Sequence, residues 1–167
     1  NRFFSLLPLV HFIREIVSDI DWTPPAPRAC FLLDDPNLHA TSYGYLQLPA
    51  LVEHATEHGY HLTLAMIPLD TWWSHPAAVR LIDENPVRLS LMIHGNNHTR
   101  SELGRPTDPT DCLGIAAQSL RRIHRFERKT GLDVSRVMAA PHGQCSESMM
   151  NALLAVGFDA CCISRPY

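Results

Sequence analysis

Two stretches hold the side chains best suited to chemistry. "CFLLDDPNL" (30–38) ends an apolar run on adjacent carboxylates, Asp34 and Asp35. Their mutual repulsion is relieved either by solvent at a strand exit or by a cation held between them. "HGNNH" (94–98) sets His94 and His98 across a turn-rich Gly-Asn-Asn sequence, so that both imidazoles can face one point. Two imidazole nitrogens and one carboxylate oxygen form an open metal set, with positions left for water and substrate. The spacing is weak support by itself: the chain has ten histidines and repeats the spacing in "EHATEH" with His54 and His58. That second pair falls near the C-terminus of a predicted helix, where imidazoles meet the negative end of the helix dipole. It is expected to be a surface feature. The pair at 94 and 98 differs because two aspartates end a neighbouring strand.

For these groups to meet, the chain must bring several strand ends to one face. Short apolar segments at 29–33, 60–67, 88–93, 136–140 and 160–163 read as strands. Between them, helices are predicted at 45–58, 76–84, 109–130 and 146–156. The longest is best marked: Asp108 is a natural N-cap, Pro109 takes the first helical position, and Gly131 follows its end. Alternating strands and helices argue for a parallel sheet with helical crossovers, either a barrel or an open doubly wound sheet. In such folds the working site lies at the carboxyl ends of the strands. Those ends carry Asp34 and Asp35; then Pro68, Asp70, Trp72 and Trp73; then His94 to His98; then "APHGQ" (140–144); and last Ser164 and Arg165.

Composition narrows the classes. A chain of 167 residues, 46% hydrophobic and 19% charged, can bury one core. A formal net charge of −3 gives no electrostatic footprint for nucleic acid. "RRIHRFERK" (121–129) reads as the solvated face of a helix. No apolar run reaches the roughly 18 residues needed to span a bilayer. No glycine-rich phosphate loop follows the first strand, so a nucleotide is not expected. The opening "NRFFSLLPLVHFIREI" is interrupted by His11, Arg14 and Glu15 and reads as an amphipathic packing segment. With "DWTPPAPRA" (21–29) it makes a helical, proline-rich lead-in over 1–28, ahead of a domain over 29–167. A chain beginning at Asn1 reads as a piece of a longer protein. Its five cysteines form no CxxC and are odd in number, which favours free thiols in a reducing, cytoplasmic setting.

Taken in order, "LLDDPN", "HGNNH" and "APHG" resemble the pattern of the polysaccharide deacetylases (NodB-homology, carbohydrate esterase family 4). That family carries T-F-D-D-G, H-[ST]-x-x-H and an R-x-P-Y-G-like motif, each after a strand. The resemblance spans about 29–163 and implies a distorted (β/α) barrel of fewer than eight regular units. It makes Asp34 the general base and gives Asp35, His94 and His98 to one divalent metal ion, usually zinc. His142 takes the place of the third motif's aromatic, next to Pro141, with its backbone N–H facing the developing oxyanion. Four positions depart from the pattern. Pro36 replaces the glycine after the aspartates, and Gly95 replaces the Ser/Thr after the first metal histidine. Ala139 stands where an arginine orients the base, with Arg136 nearby. The late histidine that serves as general acid has no match before Tyr167, so the barrel is read as truncated at its C-terminus.

The chemistry implied is removal of an acetyl group from an N-acetylated sugar or related amide by metal-activated water. His142 is a stand-in for the missing acid, and Trp72 and Trp73 are a stacking platform for a sugar ring. A second reading keeps the metal but not the turnover: a weakly active or inactive carbohydrate-binding relative, favoured by Ala139. A metal-dependent phosphoesterase ranks last, because only Asp70 and His142 are left to hold a second ion. The oligomeric state is not legible in the sequence.

Overall fold

Leu62, Leu64 and Met66 alternate with His61, Thr63 and Ala65 along one strand, and this alternation gives the sheet two different faces. The computed structural model describes residues 3–17 and 30–165. A first strand, β1 (Cys30–Asp34), is followed by a short hairpin of β2 (Ser42–Tyr43) and β3 (Leu46–Gln47). β1 then pairs with β4 (His61–Met66), β4 with β5 (Leu89–His94), β5 with β6 (Val137–Ala139) and β6 with β7 (Ala160–Cys162). All four pairings are parallel, and the five strands curl into a half-barrel. This is the distorted barrel with fewer than eight units expected above.

One face of the sheet carries Leu62, Leu64, Met66, Leu89, Leu91, Ile93 and Met138. They pack against helices α2 (Leu48–His58), α3 (Pro76–Asp83), α4 (Pro109–Thr130) and α5 (Glu147–Val156) in a continuous core. Val52, Ala55, Ile82, Ile123, Phe126, Met149 and Leu153 supply the helical side of that core. The opposite, concave face has a smaller cluster of Ala65, Met92 and Ala139. Register places Asp34 opposite Ala65, Ala65 opposite Met92, and His94 opposite Ala139. Asp34 and His94 therefore share the concave face at the strands' carboxyl ends, above a floor of small and flexible side chains.

The helix boundaries follow local chemistry. The Asp108 carboxylate accepts the N–H groups of Thr110 and Asp111, and Gly131 ends α4 in the left-handed region at φ 79°. Ser146 lies one residue outside α5 and caps it by accepting the Met149 N–H. The helix expected from residue 45 starts at Leu48, because 42–47 is taken by the hairpin around Gly44. The N-terminal segment does form a helix, α1 (Phe3–Ile16), but without the packing expected of it. Leu6, Leu9, Val10, Phe12 and Ile16 each keep half or more of their surface exposed. Its apolar residues spread over too wide an arc for one neighbour to cover. The proline-rich stretch 21–29 lies outside the described residues. The four described cysteines (112, 145, 161 and 162) are free thiols, and among the described residues no helix is long and apolar enough to cross a membrane.

At the amino ends of the strands, α4 is tied to β6 by a two-pronged ion pair. Arg136 Nη1 and Nη2 donate to Glu127 Oε1 and Oε2, each at 2.8 Å, and Glu127 Oε1 also accepts the Val134 N–H at 3.1 Å. Burial opposes ionisation of Glu127, but the hydrogen bonds from Arg136 and Val134 outweigh it and hold the carboxyl below its usual value. A depressed carboxyl stabilises the fold above its unfolded-state pKa of roughly 4.3, and that contribution fades as pH falls through the lower folded value. Glu127→Gln is therefore expected to cost about 1–3 kcal/mol in urea unfolding at pH 7. The gap from wild type should close as the buffer is taken well below pH 4.

Candidate metal centre

Asp35 is the first residue past β1, and its backbone turns into the left-handed region at φ 70°. That turn brings its carboxylate towards two histidines. Asp35 Oδ1 lies 3.2 Å from His94 Nε2 and 3.1 Å from His98 Nε2, and the two imidazole centroids are 4.9 Å apart. Among the described residues, Asp35, His94 and His98 are the one group that gathers three metal-capable atoms within 4.8 Å of one another.

The protonation of this cluster is constrained by the backbone. His94, the last residue of β5, is 2% exposed, and its Nδ1 lies 2.9 Å from the Ala139 carbonyl oxygen. A carbonyl only accepts, so Nδ1 donates to it and Nε2 is the nitrogen left facing the Asp35 side of the site. Asp35 Oδ1 is itself shut off from solvent and has no hydrogen-bond donor. Nitrogen and carboxylate atoms this close need a shared proton or a cation among them, and His98 Nε2 converges on the same oxygen. The donor set fits a single divalent cation. A histidine whose far nitrogen donates to a backbone carbonyl is the usual bracing of a metal-ligating imidazole.

The loop that carries His98 is built around a residue the sequence did not single out. Glu102 is 7% exposed, and its carboxylate accepts the N–H groups of Asn96 at 2.9 Å, Asn97 at 2.7 Å and His98 at 3.1 Å. From the other side, Arg122 Nη1 donates to the Asn96 carbonyl at 3.1 Å, to Asn96 Oδ1 at 2.5 Å and to Asn97 Oδ1 at 2.7 Å. Gln118 Oε1 accepts from Asn96 Nδ2, and Ser119 Oγ donates to the Gly95 carbonyl. The stretch 121–129 was expected to be solvated, and Arg121, His124, Arg125, Arg128 and Lys129 are exposed. Arg122 departs from that expectation because the loop's carbonyl oxygens lie within its reach. No local sequence signal marks Glu102, since its partners are backbone groups.

The other expected residues have distinct placements. Asp34 ends β1 on the concave face and is exposed. His142 is exposed in a 3-10 turn with φ 57°, and its ring stands edge-on to that of His98 at 5.3 Å. Pro141 is buried beneath Gly95. Trp72 and Trp73 follow β4, 70% and 39% exposed. His39, which the sequence reading passed over, lies against both, with centroids at 5.4 and 5.7 Å, and Nε2 donates to the Asp70 carbonyl at 2.8 Å. Asp70 and His142 are not part of the three-residue cluster. Arg136 is committed to Glu127 at the far end of β6, so it does not take the place of the arginine missing at Ala139. His54 and His58 remain on the exposed end of α2, where His54 bonds Tyr60 Oη at 2.7 Å.

No family model matches the sequence, and no curated protein matches it. Solved structures do. A deacetylase domain, BpsB from Bordetella bronchiseptica, aligns over 97% of this chain and 78% of its own, with TM-score 0.61 and 16% identity. A family 4 carbohydrate esterase from Streptomyces lividans, solved with acetate, covers 81% of this chain with TM-score 0.57 and 12% identity, over 62% of its own length. A CE4 family pseudoenzyme from Bacillus anthracis covers 83% with TM-score 0.57 and 14% identity. The fold is that of these deacetylases. The present chain spans 44% of that pseudoenzyme's length.

Gly95 tests how tightly the loop is built. It has φ 67°, and a Cβ there would lie 2.6 Å from Pro141 Cγ and 2.7 Å from Glu102 Oε2. Gly95→Ala is expected to lower stability by about 1–3 kcal/mol, combining left-handed strain with the clash. Thermal unfolding of the purified variant beside wild type measures it.

Proposed function

We propose that this chain is a metal-dependent deacetylase-like hydrolase, acting on an acetylated sugar or a related amide. The observation that carries the reading is the convergence of Asp35 Oδ1, His94 Nε2 and His98 Nε2 on one point, with Asp35 Oδ1 buried and undonated. Asp35, His94 and His98 would hold one divalent ion, for which zinc suits the mixed nitrogen and oxygen donors. When bound, such an ion acts as a Lewis acid that lowers the pKa of water and polarises a carbonyl.

The chain's own residues divide the remaining work. Asp35 stays ionised as a ligand, while Asp34, exposed on the same concave face, takes the proton from the attacking water. The backbone N–H of His142 faces the oxyanion that develops on the acyl carbonyl. Its ring, exposed beside His98, is placed to return a proton to the leaving amine. Trp72 and Trp73 offer flat apolar faces for a sugar ring, with His39 fixing their edge. The structural neighbours named as deacetylases and esterases support this class of substrate.

A second reading has its own support. Ala139 leaves Asp34 without an arginine, Arg136 is engaged elsewhere, and one neighbour with the same fold is named a pseudoenzyme. In that reading the metal and the sugar platform are kept and turnover is lost.

Elemental analysis of purified protein, combined with acetate release from acetylated chito-oligosaccharides, separates the two. The proposal expects about one equivalent of divalent metal and measurable acetate. Metal without acetate from any acetylated sugar or aryl acetate transfers the case to the second reading, and absence of metal after zinc addition removes both. His98→Ala is expected to lose the metal. Asp34→Asn is expected to keep it and to lose at least about a hundredfold in turnover, the scale of a general base. Full activity in Asp34→Asn would make the base assignment wrong.

A further inference from the structure

We propose that Glu102, braced by Arg122, is the positioning residue of this centre: its carboxylate sets where His98 stands without itself holding the ion. The inference rests on the reading of Asp35, His94 and His98 as a metal centre, and adds to it a residue that no motif identifies.

Several observations point the same way. A carboxylate that is only 7% exposed persists only when its oxygens are saturated with donors, and Glu102 receives three consecutive N–H groups, those of Asn96, Asn97 and His98. Successive N–H groups aimed at one point form an anion-binding concavity, here filled from within the chain. The last of the three belongs to His98, whose φ of 56° is a conformation an L-histidine rarely adopts. Such a conformation survives where its surroundings over-determine it, and the Glu102 bond to the His98 N–H does so at the residue concerned.

Gly95 is the other half of the device. It stands where the related pattern has Ser or Thr, and a Cβ there would lie 2.7 Å from Glu102 Oε2. The carboxylate occupies the space that a side chain at residue 95 would need. Glu102 and Gly95 therefore form a matched pair, and the loop is held by a buried anion in place of a hydroxyl at residue 95. Arg122 closes the loop from outside through Asn96 and Asn97, and α4 adds Gln118 and Ser119. The ligand His98 is thus fixed by its backbone, while its ring remains free to point Nε2 at Asp35.

Glu102→Gln keeps size and removes the anion, so that one of its two terminal atoms becomes a donor facing an N–H. The expected result is a loss of Zn2+ affinity of about 10–100-fold by calorimetry, the usual scale for a group that orients a ligand. The visible spectrum of the Co2+-loaded variant should change as well, with the fold retained by circular dichroism. In the metal-free protein, amide exchange at Asn97 and His98 should accelerate. Wild-type Zn2+ affinity and an unaltered Co2+ spectrum in folded Glu102→Gln would overturn the proposal. If that variant does not fold, Arg122→Ala decides: a several-fold loss of Zn2+ affinity supports the proposal, and wild-type affinity overturns it. If wild type itself binds neither Zn2+ nor Co2+, the metal reading fails first. That result is distinct from wild-type binding with unaffected variants, which overturns the positioning role alone.

Discussion

The close approach of one carboxylate oxygen, Asp35 Oδ1, to two imidazole nitrogens is the constraint on which the rest of the site depends. The Ala139 carbonyl accepts from His94 Nδ1 and holds the ring, and Ala139 is fixed opposite His94 by the β5–β6 pairing. The sheet register thereby sets the orientation of a side chain. The small cluster of Ala65, Met92 and Ala139 beneath leaves room for this ring to lie on the concave face. One divalent cation among the three atoms would satisfy them together.

Helix α4 links this upper rim to the body of the protein. Its buried stripe of Cys112, Ala116, Ser119, Ile123 and Phe126 enters the core, and Ser119 turns a hydroxyl out of that stripe to the Gly95 carbonyl. One turn along, Arg122 meets the same loop, and near the helix's end Glu127 grips β6. A single element of 22 residues therefore touches the His98 loop at its middle and the strand floor at its end. The left-handed residues Asp35, His98 and His142 all follow the carboxyl ends of strands.

Much of this was legible in the sequence where the signals are local. The N-cap at Asp108, the stop at Gly131 and the alternating strands follow from short-range sterics and hydrogen bonding, and each strand of the five-stranded sheet lies within two residues of its expected place. The convergence of Asp35, His94 and His98 was legible for a different reason: the three residues are of scarce, chemically capable types at the ends of neighbouring strands. Glu102 and Arg122 were not, because a side chain that bonds backbone groups leaves no pattern of residue types. The hairpin at 42–47 was missed since Tyr45 and Leu46 continue the apolar period of the helix beyond, and only pairing with Ser42 and Tyr43 withdraws them. Arg136 shows the limit of proximity in sequence. Three residues from Ala139, it belongs to the opposite end of the strand.

That last separation has an evolutionary consequence. The ion pair and the helix-packed core that hold the half-barrel together lie away from the residues proposed for chemistry, which ring the tips of the strands. Substitutions at exposed Asp34 or Trp72 remove little buried surface, whereas position 139 is buried in the concave-face cluster. Exchanges at the exposed strand tips are therefore decoupled from folding, so that the rim can change its chemistry while the half-barrel beneath stays intact.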